Sequence, residues 1–453
     1  MRSLPNPYPD LNRKATKGID HIPGDYGPPI IGYTREMFND IHGLIQSKGE
    51  LYGPVFKSSN IFQRNINLLG PEANKFVLND VGKNFSNKLA WDIVLDKLFP
   101  NGLMLRDFDE HRFHRRILQQ AFKKPVLARY VENMDGILSR GIEQWPQDDY
   151  FCFFDHIKRL MLESAIELFL GESLNTETQS INRAFIGLLD SSLSIVRLPI
   201  PGTTWYRGMR GREKLEQFFE SRIASRKAQP GDDFFSQFCT AKDEDGNSLN
   251  DVEIVDHMIF LLFAAHDTIT STLSTIVNFL VTHPQWQQQL QQEYQALNKQ
   301  SLSFDDLAKL EKTGWVLNEA LRLYPPVPVI PRRAIRDCEF AGYKIPKNAG
   351  VSVHPPHTHR MAELWTNPLS FDPERWSGSR AEAKKNPFQF IPFGGGSHKC
   401  LGLNFAESQT KVLLFQLLSK YTLTLKPGHT MEYKLVPLSM PKNGLPIKLT
   451  IIE

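Results

Sequence analysis

Apolar residues recur at helical spacing over most of the chain between residues 72 and 325. The clearest segment is LNDVEIVDHMIFLLFAAHDTITSTLSTIVNFLVTHP, which Asn250 or Asp251 can cap and which Pro284 ends. About thirty helical residues span roughly 48 Å, enough to cross a domain. The centre of this segment is apolar on every side, so the pattern predicts a buried central helix.

Two further helices follow the central one. Residues 306–324 and about 400–420 carry apolar side chains at helical spacing, among them Leu321 in the first and Phe405 in the second. The glycine-rich segment PFGGGSHKCLG directly precedes the final helix. The helical pattern therefore predicts a mainly α protein.

The remaining segments are predicted to be extended. The first fifty residues are rich in Pro and Gly and are expected to form an extended lead-in on the surface. Two β-prone runs within residues 53–70 predict a hairpin, and a β-like stretch follows Pro325. We expect one domain over residues 1–453, with a β-rich part at about 45–72, 326–355 and the C-terminal tail, and an α-rich part at about 72–325 and 400–420.

Composition narrows the possible classes of protein. Of 453 residues, 41 % are hydrophobic and 23 % are charged, which is ordinary for a soluble globular protein. The net charge of +3 is too small to indicate a nucleic-acid partner. The longest apolar run, residues 258–265, is too short to cross a bilayer, which needs about twenty residues. We expect a soluble cytoplasmic protein without a transmembrane anchor, although a membrane-anchored form that has been truncated stays an alternative.

The four cysteines are far apart in sequence and form no CxxC pair, which argues against zinc, an iron–sulfur cluster or a disulfide framework and suits a reducing compartment. Cys400 follows three glycines, which permit close backbone approach and suggest a loop pressed against a planar group. It also lies at the start of a helix, where free N–H groups and the helix dipole favour a thiolate. A single thiolate suits a haem iron, because the haem ring supplies four nitrogen ligands.

The loop resembles the haem-binding signature FxxGx(R/H)xCxG of the cytochromes P-450, the haem-thiolate monooxygenases. Phe393, Gly396, His398, Cys400 and Gly402 match it in order. Three further motifs of the family occur in the order along the chain that the family shows. They are ExxR at Glu319–Arg322, FDPERW with Arg375, and AAHDT at residues 264–268.

The resemblance implies a fold and several residue roles. The fold is mainly α, an α-rich triangular prism with a small β-rich subdomain. Glu319, Arg322 and Arg375 would form a buried structural ion-pair network. Thr268 and Asp267 would be catalytic and deliver protons for oxygen activation, whereas the alternative is a threonine that bonds back to its own helix.

The resemblance also implies haem b, with Cys400 as the axial ligand of the iron. The cationic partners of its propionates would be His111, Arg115, His398 and Arg332, with Arg333 as a rival for Arg332. His114, Arg112 and Arg116 are expected on a solvated basic face. Other cofactor contacts are expected from Phe393, Gly394, Gly402, Ala264 and Ala265.

The substrate is expected to be lipophilic, because the expected pocket lining is apolar. The segments IPGDYGPP and LPIPGTTWYRGMRGREKL are most similar to the retinoid and plant-steroid hydroxylase branch, which suggests a terpenoid, retinoid, steroid or fatty acid. The candidate pocket residues are Phe85, Leu89, Trp91, Leu103, Leu189, Leu261, Phe263, Val327, Val329, Leu438 and Met440.

The implied reaction needs O2 and electrons from a separate ferredoxin or flavoprotein reductase system, because the chain has no flavin or nicotinamide fingerprint. Lys399 is a candidate contact for an acidic partner, and a monomer is expected. The alternatives are an H2O2-dependent peroxygenase, a non-oxygenating isomerase or dehydratase of the same fold, and a haem sensor or electron carrier. His266 is the only distal ligand candidate for a carrier, and we expect it to face away from the iron.

Overall fold

A computed structural model describes residues 8, 10–11, 16–61, 63–192, 194 and 197–452. The described residues form fourteen α-helices and twelve mostly short strands, which confirms the prediction of a mainly α protein. The beginning of the predicted lead-in, at residues 1–7, 9 and 12–15, lies outside the described residues.

The helices are α1 (Thr34–Tyr52), α2 (Pro71–Asn79), α3 (Lys88–Leu95), α4 (Phe108–Leu118), α5 (Lys124–Ile142), α6 (Phe153–Ala165), α7 (Thr176–Ser192), α8 (Thr204–Ala228), α9 (Phe234–Thr240), α10 (Asp251–Thr282), α11 (Pro284–Leu297), α12 (Glu311–Leu323), α13 (Pro355–Thr358) and α14 (Leu403–Leu418). The strands are β1 (Val55–Ser59), β2 (Arg64–Leu68), β3 (Phe85–Ser86), β4 (Phe151–Cys152), β5 (Ile330–Ala334), β6 (Cys338–Phe340), β7 (Tyr343–Ile345), β8 (Gly350–Val353), β9 (Tyr421–Leu425), β10 (Tyr433–Lys434), β11 (Met440–Pro441) and β12 (Pro446–Ile451).

The central helix α10 is confirmed, and its N-terminus has a complete capping box. The side chain of Asn250 accepts from the backbone N–H of Glu253, whose side chain accepts from the backbone N–H of Asn250. The helix ends at Thr282, just before Pro284, and most of its side chains are buried. None of the described helices combines the length and hydropathy that a membrane span requires.

The predicted hairpin is confirmed as β1 and β2, which pair antiparallel with Val55 opposite Leu68. It forms one edge of a five-stranded sheet with the order β1-β2-β8-β5-β3, in which β8 runs parallel to β2. In β5, Arg332 lies opposite Val351 and Arg333 opposite Gly350. Because successive strand residues point to opposite faces, the side chains of these two arginines project from opposite faces of the sheet.

Two expectations about local structure were wrong. The extended lead-in was expected to reach residue 50, but α1 begins at Thr34, because the prolines and most of the glycines precede it and Ile41 and Ile45 supply a buried face. The helix expected over 306–324 is divided at Leu310. A 3-10 helix occupies Phe304–Lys309, and α12 begins at Glu311.

The buried apolar residues form two large clusters. The helical cluster contains the interiors of α5, α6, α10 and α14, and the sheet cluster joins α2 to β2, β5 and β8. The glycine-rich loop runs between them. Ile391 belongs to the sheet cluster, whereas Phe393 and Leu401 pack against the helical cluster.

A buried carboxylate ties α12 to the segment that leads to the glycine-rich loop. Glu319 accepts hydrogen bonds from Arg322 at 2.8 and 2.9 Å, from Arg375 at 3.0 Å and from the indole N–H of Trp376 at 3.0 Å. The side chains of Glu319, Arg322 and Arg375 have no exposed surface. Such a network is costly to break at one member, because the remaining buried charges lose their partner.

We expect Glu319→Gln to lower the free energy of unfolding by about 3–5 kcal/mol, since it leaves the buried guanidinium of Arg322 without its carboxylate partner, whereas Arg375 keeps its ion pair with Glu382. Urea unfolding followed by circular dichroism measures the loss. Glu374→Gln is the control, because Glu374 is exposed and lies in the same segment. Equal stability of the two variants would contradict the structural role of Glu319.

Candidate active site

The glycine-rich loop is shaped by contact with α2. Gly394 and Gly396 have φ angles of 70° and 61°, in the left-handed region that favours glycine. A Cβ on Gly396 would lie 1.8 Å from the carbonyl oxygen of Leu78, so a side chain there would collide with backbone. The planar partner expected from the sequence is therefore not what Gly396 contacts. Beside Gly394, in contrast, the nearest atom to a built Cβ is 4.0 Å away.

Cys400 follows a short 3-10 helix, Gly396–His398, and lies two residues before the N-cap of α14. Its backbone N–H donates to the carbonyl oxygen of Phe393 at 2.9 Å. The residue is accessible to solvent, yet it lies deep enough for burial to raise the pKa of its thiol. The backbone N–H of Gly402 and the charge of Arg115 act in the opposite direction. Cys400 therefore combines accessible surface with a thiol that is partly removed from water.

Four basic side chains from three segments gather beside Cys400. They are His111 and Arg115 on α4, Arg332 on β5, and His398 in the loop. The rings of His111 and His398 have centroids 3.9 Å apart. Burial, together with Arg115 and Arg332, lowers the pKa of His111 to about 4. Burial also lowers the pKa of Arg332 to about 10.

Within the described residues no carboxylate lies at ion-pair distance from this cluster, although the charges of Asp107 and Asp80 act on Arg332 from farther away. Within the described residues, the side chains of His111, Arg115 and His398 make no hydrogen bond or ion pair. The side chain of Arg332 donates only to the neighbouring Pro331 carbonyl, at 2.8 Å. Buried cations normally have partners. The arrangement thus fits a ligand that brings carboxylates to this position, as a haem does with its two propionates.

The structure distinguishes Arg332 from Arg333. The guanidinium of Arg333 donates to the backbone carbonyl of Asn348 at 2.9 Å and to the side chain of Gln63 at 3.0 Å. Arg332 is turned to the opposite face of β5, where its charge affects the pKa of His111 and His398. Arg332 is therefore the arginine that belongs to the basic cluster.

The expectation that His114 lies on a solvated face was wrong. His114 is buried, and its Nδ1 lies 3.1 Å from Nε2 of His257 on α10. Arg112 and Arg116, on the same helix, are exposed as expected. His114 lies three residues from His111 in α4, so both histidines occupy the buried side of that helix.

The side chains of the AAHDT segment of α10 make contacts in two different directions. Ala264 is exposed and Ala265 is half-buried. The hydroxyl of Thr268 donates to the carbonyl oxygen of Ala264 at 2.9 Å, which is the bond back to the helix that the sequence left as an alternative. Asp267 is held elsewhere, because its carboxylate lies 2.9 Å from Nδ1 of His266.

His266 was expected to face away from the iron, and its contacts lie on the α6 and α7 side. Its Nε2 lies 3.3 Å from the carbonyl oxygen of Lys158 on α6, and its ring meets the edge of Phe185 on α7. Burial acts to raise the pKa of Asp267, but the hydrogen bond and the charge of His266 hold it below its usual value. Residue spacing did not predict this pair, because adjacent helix residues do not usually face each other.

The candidate pocket residues fall into two groups by burial. Phe85, Leu89, Leu103 and Leu189 are almost completely buried, and Phe85 packs in the sheet cluster. The others keep part of their surface exposed, which suits the wall of a cavity. They are Trp91, Leu261, Phe263, Val327, Val329, Leu438 and Met440.

A mainly α fold in which a single loop cysteine lies beside unbalanced cations defines a haem-thiolate protein. The sequence model of the family "Cytochrome P450" matches residues 23–450. The chain therefore belongs to the cytochrome P450 family and is a cytochrome P450 monooxygenase. The family implies a haem cofactor, O2 and a redox partner.

Individual relatives are similar over nearly the whole chain. A putative cytochrome P450 136 from Mycobacterium tuberculosis is 37 % identical over 438 residues, which cover 95 % of this chain and 89 % of the relative. Abscisic acid 8'-hydroxylase 1 from Arabidopsis thaliana is 28 % identical over 437 residues, 94 % of this chain and 90 % of that protein.

The structure of retinoic acid bound cyanobacterial CYP120A1 matches with a TM-score of 0.85 and 32 % identity. The match covers 95 % of this chain and 99 % of that one. It confirms the α-rich fold with a small β-rich part.

We expect His266→Phe to raise the pKa of Asp267, because the carboxylate loses its hydrogen-bonding partner and stays partly buried. The pH at which the infrared C=O band of the protonated acid appears should therefore move upward. Asp267→Asn in the same background identifies the band. An unchanged midpoint would mean that His266 does not control the charge of Asp267.

Proposed function

We propose that this protein hydroxylates a lipophilic substrate, with haem b held by Cys400 and electrons delivered by a separate ferredoxin or flavoprotein. The observation that carries the proposal is the accessible cysteine beside four basic groups that make no ion pair within the part of the chain that the structure describes. Zinc is disfavoured, since the described residues contain no group of three His, Cys, Asp or Glu able to hold a metal ion.

Each residue of the site has a part in holding the cofactor. Cys400 supplies the thiolate, which the N–H of Gly402 and the charge of Arg115 help to keep ionised. Arg115 and Arg332 balance two propionates, and His111 and His398 can donate further hydrogen bonds. When bound, the haem supplies the iron that activates O2, so that one oxygen atom enters a C–H bond and the other leaves as water.

Thr268 and Asp267 are proposed to handle the protons. Thr268 donates its own proton to Ala264, which leaves its oxygen lone pairs free to accept a hydrogen bond at the cofactor side of α10. Asp267 is ionised and tied to His266, so its carboxylate must first turn from that partner and take up a proton from water before it can pass one on. The acid and alcohol together disfavour the peroxygenase and isomerase alternatives.

The electron donor is proposed to be acidic. Lys399, next to the ligand cysteine, is exposed, and Arg112 and Arg116 extend from the outer side of the helix that carries His111. Opposite charges on a partner would speed association at low salt.

The substrate is proposed to be a lipophilic terpenoid, retinoid, steroid or fatty acid. The half-exposed candidates around α3, α10 and the C-terminal segment are apolar, so they favour a ligand that removes apolar surface from water. Two relatives support the same range, since one is an abscisic acid 8'-hydroxylase and the other has a structure with retinoic acid bound. Both compounds are lipophilic carboxylic acids.

We expect Cys400→His to abolish the red-shifted absorption band of the ferrous CO complex, because that band requires a thiolate opposite the CO. Difference spectroscopy of the reduced protein measures it. Cys338→Ser is the control, since Cys338 lies in β6 and away from the loop. A retained band in Cys400→His would refute the ligand assignment and the proposed function with it.

We expect Thr268→Ala to uncouple reductant use from product formation, lowering product per reductant by roughly tenfold or more, the scale of a lost proton-transfer group. Thr282→Ala is the matched control, because Thr282 makes the same bond back to its helix, at 2.7 Å to Asn278, near the end of α10. An unchanged product yield in Thr268→Ala would remove the hydroxyl from the proton path.

A further inference from the structure

Lys88, the first residue of α3, is a buried cation that the structure leaves without a hydrogen bond. Its exposed fraction is 6 %. The nearest opposite charge is Asp92, one turn along the helix, with 3.7 Å between Nζ and Oδ1. That distance exceeds hydrogen-bond length. In the described residues the ammonium group makes no hydrogen bond, although it has three donors to satisfy.

The other buried cations differ from Lys88 in this respect. Among the described residues, the charged group of each buried arginine donates at least one hydrogen bond. These arginines are Arg106, Arg212, Arg322, Arg332, Arg333 and Arg375. A buried ammonium is unfavourable without such bonds, because desolvation costs more than one distant counter-charge returns. Unlike the buried arginines, Lys88 thus has no hydrogen bond within the described residues that would explain why its charged group is buried.

Lys88 begins the helix that carries the pocket candidate Trp91, and its backbone is joined to the segment before α4. Its backbone N–H donates to the carboxylate of Asp107 at 3.3 Å, and Asp107 precedes α4, the helix of His111 and Arg115. The charge of Asp107 also acts on Arg332. On the other side, α3 itself carries Trp91, a half-exposed pocket candidate.

We propose that the ammonium group of Lys88 binds the carboxylate of a lipophilic acid substrate. This inference rests on the proposed function and narrows its substrate class. Arg115 and Arg332 already provide two charges for two propionates, so Lys88 is free for a further carboxylate. Asp92 keeps the empty site neutral, and the entering acid supplies the close hydrogen-bonding partner that Asp92 does not.

The test compares acids with their matched alcohols. All-trans-retinoic acid with all-trans-retinol, and palmitic acid with 1-hexadecanol, are titrated into the ferric holoenzyme while the Soret band is followed. The variants are Lys88→Met and the double variant Lys88→Met/Asp92→Leu. The double variant removes both members of the buried ion pair, so its net charge equals that of the wild-type protein. Lys88→Arg tests rescue, and Lys97→Met is the control because Lys97 is exposed just beyond α3.

We expect the wild-type protein to bind at least one acid more tightly than its alcohol. In the double variant the Kd of the acid should rise by about 10- to 100-fold, the scale of a hydrogen bond to a charged group, while that of the alcohol stays nearly constant. Lys88→Arg should retain most of the preference, and Lys97→Met all of it.

Three results would overturn the proposal. The first is equal weakening of acid and alcohol, which indicates a structural role. The second is a variant that keeps the preference for the acid but has an altered haem content or reduction potential in the absence of substrate. That result would assign Lys88 to a haem propionate. The third is a wild-type protein that gives the thiolate CO band but binds no acid of the panel. That last result would leave the monooxygenase standing, whereas loss of the CO band would remove the proposed function itself.

Discussion

The position of Cys400, the proposed haem ligand, depends on the carboxylate of Glu319. Through Arg322 this carboxylate is joined to a histidine bridge, because Nδ1 of His359 donates to the carbonyl of Arg322 at 3.2 Å and its Nε2 accepts the N–H of Ile391 at 2.9 Å. Ile391 begins the turn that leads to Cys400. Burial lowers the pKa of His359 to about 3, so the ring stays neutral and can donate and accept at once. The ion pairs therefore fix the backbone of the loop.

The buried charged groups of this molecule fall into two sets with different partners. The arginines of the Glu319 network are fully bonded to protein and define the frame. The cluster of His111, Arg115, Arg332 and His398 is left without anions, and it comes from α4, β5 and the loop, which converge beside Cys400. The arginines of the Glu319 network thus have all their hydrogen-bonding partners within the protein, whereas the basic cluster keeps donors available. Such available donors are what binding of an anionic cofactor requires.

The sequence predicted the elements whose signals are local. The capping residues and Pro284 set the ends of α10, and four motifs identified the site residues of the family. Alternation along β5 could not be used to choose between Arg332 and Arg333, because the register against β8 is set by tertiary packing. α1 was missed because the Pro- and Gly-rich residues before it dominated the pattern.

Contacts between distant segments were also beyond sequence reasoning. The burial of His114 depends on α10 lying against α4, and the direction of Asp267 depends on α6 offering the Lys158 carbonyl to His266. Similarly, the missing hydrogen bonds of the Lys88 ammonium group stand out only when the partners of the other buried cations are known. These features follow from packing, which residue spacing does not encode.

The contact between Gly396 and Leu78 has a consequence for assembly. The loop rests on α2, which belongs to the sheet cluster, while the helix that continues from it belongs to the helical cluster. Neither cluster alone can complete the loop. Cys400 is held in place only where the two clusters pack together, so a change that loosens their contact would disturb the proposed haem site even if each cluster stayed intact.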